Sequence, residues 1–183
     1  MRIIGGQFRG KQLNPGKKFK ARPTTDFARE SLFNILRNRV DFEEITFLDL
    51  FGGTGVISYE MASHGCRDIT IVEKDSKHFS FIRECIEELK ISRIASAIRG
   101  DVFRFIESSR RSYDLIFADP PYELEKINEI PEKIFSSSLL KEDGLLIVEH
   151  GKKTDYSTHP NFKELRKYGS VHFSFFSYEK QED

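Results

Sequence analysis

The chain has no tryptophan, only two cysteines and two methionines, and a formal net charge of zero. Each scarcity narrows what it can be. With tryptophan absent, seventeen phenylalanines become the main bulky filler of any core. Cys66 and Cys85 lack metal-ligand spacing and fall within helical patterns, so they read as free thiols in a reducing compartment. No apolar run reaches the roughly 18 residues of a membrane-spanning helix, so no membrane partner is expected. The amino terminus lacks the apolar stretch and small-residue cleavage site of a secretory signal, and a cytoplasmic protein is expected. The five histidines, His64, His78, His150, His159 and His172, show no ligand spacing, and no metal is expected.

What remains is the composition of an ordinary globular domain. Of 183 residues, 38% are hydrophobic and 32% charged, enough to bury one substantial core beneath a polar surface. The zero net charge conceals an uneven distribution. Residues 1–40 carry ten Lys or Arg against Asp26 and Glu30, a net of +8, which leaves 19 basic against 27 acidic residues, or -8, in the remainder. A basic arm on an acidic body suits a polyanionic partner, because phosphate neutralisation supplies most non-specific nucleic-acid affinity. A solvated basic loop accounts for the charges equally well.

From Arg2 to Leu13 short apolar pieces are broken by glycines, which suggests a small hairpin. Lys17 to Arg22 form a basic loop. Thr24, Thr25 and Asp26 are good helix caps, and Phe27, Leu32, Phe33, Ile35 and Leu36 follow at helical spacing, so an amphipathic helix is expected from about Asp26 to Arg39. Beyond Glu44 short apolar runs alternate with longer amphipathic segments, the pattern of βαβ units building a parallel sheet. The strand candidates are Phe47–Phe51, Ile69–Glu73, Ile94–Ile98, Tyr113–Ala118 and Gly144–Glu149. Leu165–Tyr168 and Val171–Tyr178, separated by Gly169-Ser170, read as an antiparallel hairpin closing the sheet. There is no internal repeat or interdomain linker. The organisation expected is one globular unit, with residues 1–40 as a basic extension packed on a catalytic domain of residues 41–183.

The first strand runs into Asp49-Leu50-Phe51-Gly52-Gly53-Thr54-Gly55, and a helix begins near Val56. Glycines at such a strand-to-helix turn let the backbone approach a ligand where open α/β sheets bind nucleotides. Asp49 and the loop residues Phe51, Gly52, Gly53 and Gly55 would cradle the amino-acid end of the ligand. The dinucleotide pattern G-x-G-x-x-G would need glycine at position 58, where the chain has Ser58. Glu73 lies 18 residues after Gly55, near the spacing at which an acid meets ribose hydroxyls, with a surface carboxylate as the alternative. Asp101 follows the third strand, where it could accept an adenine amino group or simply cap a helix.

The most specific motif is Asp119-Pro120-Pro121-Tyr122, directly after the apolar strand Tyr113–Ala118. An amino group on a base is a poor nucleophile because its lone pair is delocalised into the ring. Asp119 and the Pro120 carbonyl can accept its two hydrogens, which favours a pyramidal nitrogen whose lone pair meets a methyl donor. The two prolines fix the backbone on which these acceptors converge. Tyr122 offers an unstacked base a flat face. Pro-Pro alone would signal no more than a rigid turn; the Asp before it and the aromatic after it point to this chemistry.

With Arg2-Ile-Ile-Gly-Gly, Arg22-Pro23-Thr24-Thr25-Asp26, Arg29-Glu30-Ser31-Leu32-Phe33-Asn34, the Asp49 turn, Glu73, Asp101 and Asp119-Pro120-Pro121-Tyr122, the chain resembles the bacterial 16S ribosomal RNA guanine-N2 methyltransferases over nearly its whole length. One departure is Gly53-Thr54 where many relatives have Ala-Ser; both pairs are small. The resemblance implies a Rossmann-like S-adenosylmethionine methyltransferase fold, with a seven-stranded, mostly parallel sheet, an antiparallel carboxy-terminal hairpin and a small amino-terminal extension. It implies S-adenosyl-L-methionine as cofactor, held by Asp49, Phe51, Gly52, Gly53, Gly55, Glu73, Asp101 and Asp119. The expected partner is 16S ribosomal RNA within small-subunit particles. Arg9, Lys11, Lys17, Lys18, Lys20, Arg22, Thr24, Pro121 and Tyr122 are the candidate substrate contacts, and Asp119, Pro120 and Tyr122 the candidate catalytic groups. A DNA adenine-N6 methyltransferase shares the Asp119 motif, but the stretch from Asp119 to Gly144 is too short for a target-recognition insertion. Two other rivals are a protein-glutamine methyltransferase, whose motif normally begins with Asn, and an assembly factor that binds the cofactor without turnover.

Overall fold

The computed structural model describes residues 1–16 and 25–179. Its elements in chain order are α1 (Asp26–Leu36), β1 (Thr46–Leu50), α2 (Val56–Ser63), β2 (Asp68–Glu73), α3 (Ser76–Glu88), β3 (Ala95–Arg99), α4 (Val102–Ser108), β4 (Tyr113–Ala118), α5 (Glu129–Phe135), β5 (Leu140–His150), β6 (Phe162–Tyr168) and β7 (Val171–Phe176). The strands form one seven-stranded sheet in the order β3-β2-β1-β4-β5-β7-β6. Neighbours from β3 to β5 are parallel, and β7 pairs antiparallel with both β5 and β6. This is the α/β sheet with a closing hairpin that the alternation of apolar runs and amphipathic segments implies. Among the described residues, no helix is long and apolar enough to cross a membrane.

Both faces of the sheet are buried, which is why its central strands read as apolar runs rather than as alternation. On β4, Leu115 and Phe117 join one core cluster while Ile116 and Ala118 join the other. On β1, Phe47 faces the first cluster, and Leu48 and Leu50 the second. Polar side chains set the helix starts: Thr25 accepts from the Ala28 N–H, Asp75 from those of Lys77 and His78, and Asp101 from those of Phe103 and Arg104.

Strand ends elsewhere shift by one to three residues from those read in the sequence, and three further differences have a local reason. The amino-terminal hairpin forms but is short: around the Arg2–Gln12 bridge, Ile3 N–H donates to the Lys11 carbonyl and Leu13 N–H to the Met1 carbonyl. Toward its turn the N–H groups go to α2 instead: Ile4 and Gly5 donate to the Glu60 carboxylate, Gln7 to the Ser63 carbonyl and Phe8 to Ser63 Oγ. Helix α1 ends at Leu36 rather than Arg39, because the N–H groups of Asn38 and Arg39 turn to the carbonyls of Ile35 and Leu36 and tighten the last turn. Strand β5 begins at Leu140 rather than Gly144, with a register shift opposite Tyr113 and Leu115.

Residues 1–16 and α1 pack on the first face, where Ile3, Leu13, Leu32 and Phe33 belong to the same cluster as Phe47 and Phe117. A buried ion pair fastens this layer. Arg29 and Glu60, 1% and 0% exposed, meet at 3.1 Å from Nε to Oε1, and Arg29 also donates to the Arg2 carbonyl and to Asp26.

Candidate active site

Strand order reverses between β1 and β4, and in open α/β sheets ligands bind in the crevice beyond the carboxyl ends of such neighbours. Four carboxylates gather at this rim. Asp49 precedes the end of β1, Glu73 ends β2, Asp119 follows β4 and Glu149 lies one residue before the end of β5. The pairing of Leu50 with Ala118, and of Ala118 with Val148, brings Phe51, Asp119 and Glu149 to one level.

The turn after β1 is made by left-handed backbone at Phe51 (φ 66°), Gly53 (φ 55°) and Gly55 (φ 76°). At Phe51, a bulky residue with a side chain, such a conformation costs about 1–3 kcal/mol and persists only where the surroundings enforce it. At Gly55 any side chain would collide with the Tyr59 ring, its Cβ falling 2.3 Å from the hydroxyl oxygen. The Gly53 N–H donates to Glu73 Oε2 at 2.7 Å, and the Asp75 N–H donates to Glu73 Oε1 at 2.7 Å. Glu73 thus ties the glycine turn to the start of α3. Asp49 is buried and accepts a 2.7 Å hydrogen bond from Ser58 Oγ. Burial pushes its carboxyl up to about 7; Ser58 opposes the shift and the nearby Glu73 adds to it.

After β4, Pro120 is buried and Pro121 exposed, with Asp119 and Tyr122 partly buried on either side. Desolvation, then the charges of Glu149 and Asp49, hold the Asp119 carboxyl well above the usual carboxylate range. Tyr122 donates its hydroxyl hydrogen to Glu149 Oε1 at 3.1 Å, and its ring rests on Gly151, where an added Cβ would lie 2.9 Å from ring carbon Cδ2.

The structure therefore brings Asp49, the glycine turn, Glu73, Asp119, Pro120, Pro121 and Tyr122 to one crevice. Asp101 lies at the start of α4, where Oδ1 caps the helix and Oδ2 pairs with Lys74 at 3.1 Å. Lys11 is not at the rim: it donates to the Glu88 carbonyl at the far end of α3. The turn bearing Arg9 rests on Ser63, the last residue of α2, whose first turn starts at the glycine loop about 12 Å away by helix rise. Lys17, Lys18, Lys20, Arg22 and Thr24 lie outside the described residues. Sequence reasoning missed Glu149 and Ser58. The first reads as the last polar residue of a strand, and the second registers only as a missing glycine. Among the described residues, no three His, Cys, Asp or Glu side chains are grouped to hold a metal ion.

A doubly wound sheet with a strained glycine turn after β1 and an Asp-Pro-Pro-Tyr element after β4 defines the class, a Rossmann-like methyltransferase. The family model described as conserved hypothetical protein 95 matches residues 1–177, and the chain belongs to that family. Curated relatives include proteins named ribosomal RNA small subunit methyltransferase D. That of Buchnera aphidicola (subsp. Baizongia pistaciae) is 26% identical over 180 residues, covering 96% of this chain and 91% of the relative. That of Escherichia coli K12 is 28% identical over 160 residues, covering 87% and 79%. Among solved structures, a hypothetical protein of Thermus thermophilus superposes with a TM-score of 0.85 at 27% identity, covering 97% of this chain and 99% of that one.

Proposed function

We propose that this protein methylates the exocyclic N2 amino group of one guanine in small-subunit ribosomal RNA, using S-adenosylmethionine. The observation that carries the reading is the meeting of Asp119-Pro120-Pro121-Tyr122 with the Phe51–Gly55 turn across the switch point. The relatives named as small-subunit ribosomal RNA methyltransferases support the class of substrate.

The residues present fit the cofactor. Asp49 and the left-handed turn offer a carboxylate and closely approachable backbone for its amino-acid end. Glu73 offers a carboxylate for ribose hydroxyls, and Asp101, at the start of α4, one for an adenine amino group. Bound S-adenosylmethionine supplies an already electrophilic methyl group, so no metal is called for. Asp119 and the Pro120 carbonyl accept the two amino hydrogens of the base and free the nitrogen lone pair. Tyr122, steadied by Glu149 and Gly151, gives the base a flat neighbour. Asp119 also takes up the proton that the amino nitrogen releases once methylated, a role suited to its raised proton affinity. The remaining contribution is positioning and exclusion of water. The described part of residues 1–40 acts in this reading as an extension packed on the catalytic unit, since Ile3 and Leu13 share its core.

The test supplies purified protein with labelled methyl donor and small-subunit particles from cells lacking it, then digests the RNA to nucleosides. Label in N2-methylguanosine is expected. Label in N6-methyladenosine, or in protein alone, would overturn the reading.

A further inference from the structure

Position 58 is where a dinucleotide fingerprint would carry glycine, and the chain carries Ser58 instead. The added side chain makes a specific bond. Ser58 is the third residue of α2 and 1% exposed, and its hydroxyl donates to Asp49 Oδ2 at 2.7 Å. Helix α2 starts after Gly55, which has no side chain to cap it, so the N–H groups of its first turn need acceptors from elsewhere. Asp49, on the strand before the turn, is one: the Ser58 N–H acts on its carboxylate in the same sense as the hydroxyl. The pair thus ties β1 to α2 across the glycine turn that faces the cofactor.

The rest of the surroundings oppose a charge on Asp49. It is buried, the carboxylates of Glu73 on β2 and Asp119 after β4 both interact with it electrostatically, and Tyr59 on α2, which also feels its charge, is held neutral by burial. Desolvation and Glu73 favour the protonated form, while the two Ser58 donors favour the ionised one. A protonated Asp49 offers an ammonium group no charge. The bond through Oδ2 also fixes which way the carboxylate turns.

We propose that Ser58 is a positioning residue for the cofactor: it keeps the Asp49 carboxylate ionised and oriented, so that Asp49 can receive the amino group of S-adenosylmethionine near neutral pH. Ser58 acts through Asp49. The proposal rests on the placement of the cofactor's amino-acid end at Asp49, and it is independent of which base is methylated.

The test is calorimetric titration of the RNA-free protein with S-adenosylmethionine from about pH 5.5 to about pH 9, in buffers of different ionisation enthalpy so that released protons are counted. Asp49→Asn supplies the reference, because only the ligand and the other site groups still titrate in it. Ser58→Ala and Ser58→Gly both remove the hydroxyl and keep the N–H, but they differ in helix propensity and so bracket any effect of stability alone. Both should move the pH below which affinity falls upward by about one unit, which is about tenfold weaker binding on the acid side. They should also release more protons per cofactor than the wild type at pH 7, and approach wild-type affinity at the alkaline end. In the Asp49→Asn background, Ser58→Ala should leave the pH profile unmoved. An unshifted profile in both single variants, or a loss of affinity equal at every pH, would make Ser58 a packing residue and overturn the proposal. A wild-type protein that binds the cofactor without releasing a proton would overturn it as well. Failure of the guanine reading would appear only in the RNA assay and would leave this result standing.

Discussion

Tyr122 is held at both ends by β5 and the residue that follows it: its hydroxyl donates to Glu149 at 3.1 Å, and its ring lies on Gly151. The aromatic group of the Asp-Pro-Pro-Tyr element is thus positioned by the neighbouring strand rather than by its own loop. Glu149→Ala removes the acceptor, and a hydrogen bond to a charged group contributes about 1.5–3 kcal/mol. Expressed as transition-state positioning, the expected loss in kcat/KM is roughly tenfold or more, with S-adenosylmethionine affinity unchanged. Glu149→Gln, which keeps an acceptor, should recover most of it. Steady-state kinetics beside calorimetry of the cofactor check the pair.

Asp119→Asn should lower single-turnover methyl transfer by about 10²-fold, in line with the loss of one preorganised polar group, while cofactor binding persists. Asp119 acts ionised, and burial beside Glu149 and Asp49 raises its proton affinity. Wild-type transfer should therefore climb with pH through a range above that of ordinary carboxylates, and the climb should be missing in Asp119→Asn. A rapid-quench pH series reads both.

Asp49 is the second titrating group. Its carboxyl, pushed up to about 7 in the free protein, must ionise to hold the cationic end of the cofactor. Below pH 7 each unit should weaken S-adenosylmethionine binding by up to about tenfold, because binding then expels a proton. The sign reverses for the empty protein. Its folded carboxyl binds protons more tightly than the unfolded one, so stability contributed by Asp49 is present at low pH and lost as pH rises toward 7. Asp49→Asn should flatten both dependences, measured by calorimetry and by denaturant unfolding across pH 4–8.

The Arg29–Glu60 pair should be structural. Removing one partner leaves a buried, uncompensated charge, a loss of about 3–5 kcal/mol. Arg29→Met should lower the urea midpoint strongly at unchanged slope, while a surface control such as Arg67→Met, whose ion pair with Glu43 is exposed, should shift it little.

The sheet was legible in the sequence because parallel strands buried on both faces leave apolar runs such as Leu115–Ala118, and because glycine and proline mark the two ligand-facing turns. The motif residues of the crevice were legible for the same reason. Glu149 was not, since its partner Tyr122 stands 27 residues away and only the β4–β5 register joins them. The Arg29–Glu60 pair, 31 residues apart, was hidden likewise. The amino-terminal hairpin was legible only at its base, where Met1 pairs with Leu13 and Ile3 with Lys11; nearer its turn α2 offers the N–H groups a buried carboxylate and a hydroxyl that local pattern does not show. The basic arm illustrates a further limit: net charge by segment says nothing of which end of a helix that charge reaches.

The most direct measurement is mass mapping of methylated nucleosides in small-subunit ribosomal RNA from cells without the protein, and from the same cells supplied with wild type or Asp119→Ala. The account predicts one N2-methylguanosine that is missing without the protein, restored by wild type and not restored by Asp119→Ala. An unchanged guanine map, or restoration by Asp119→Ala, would contradict it.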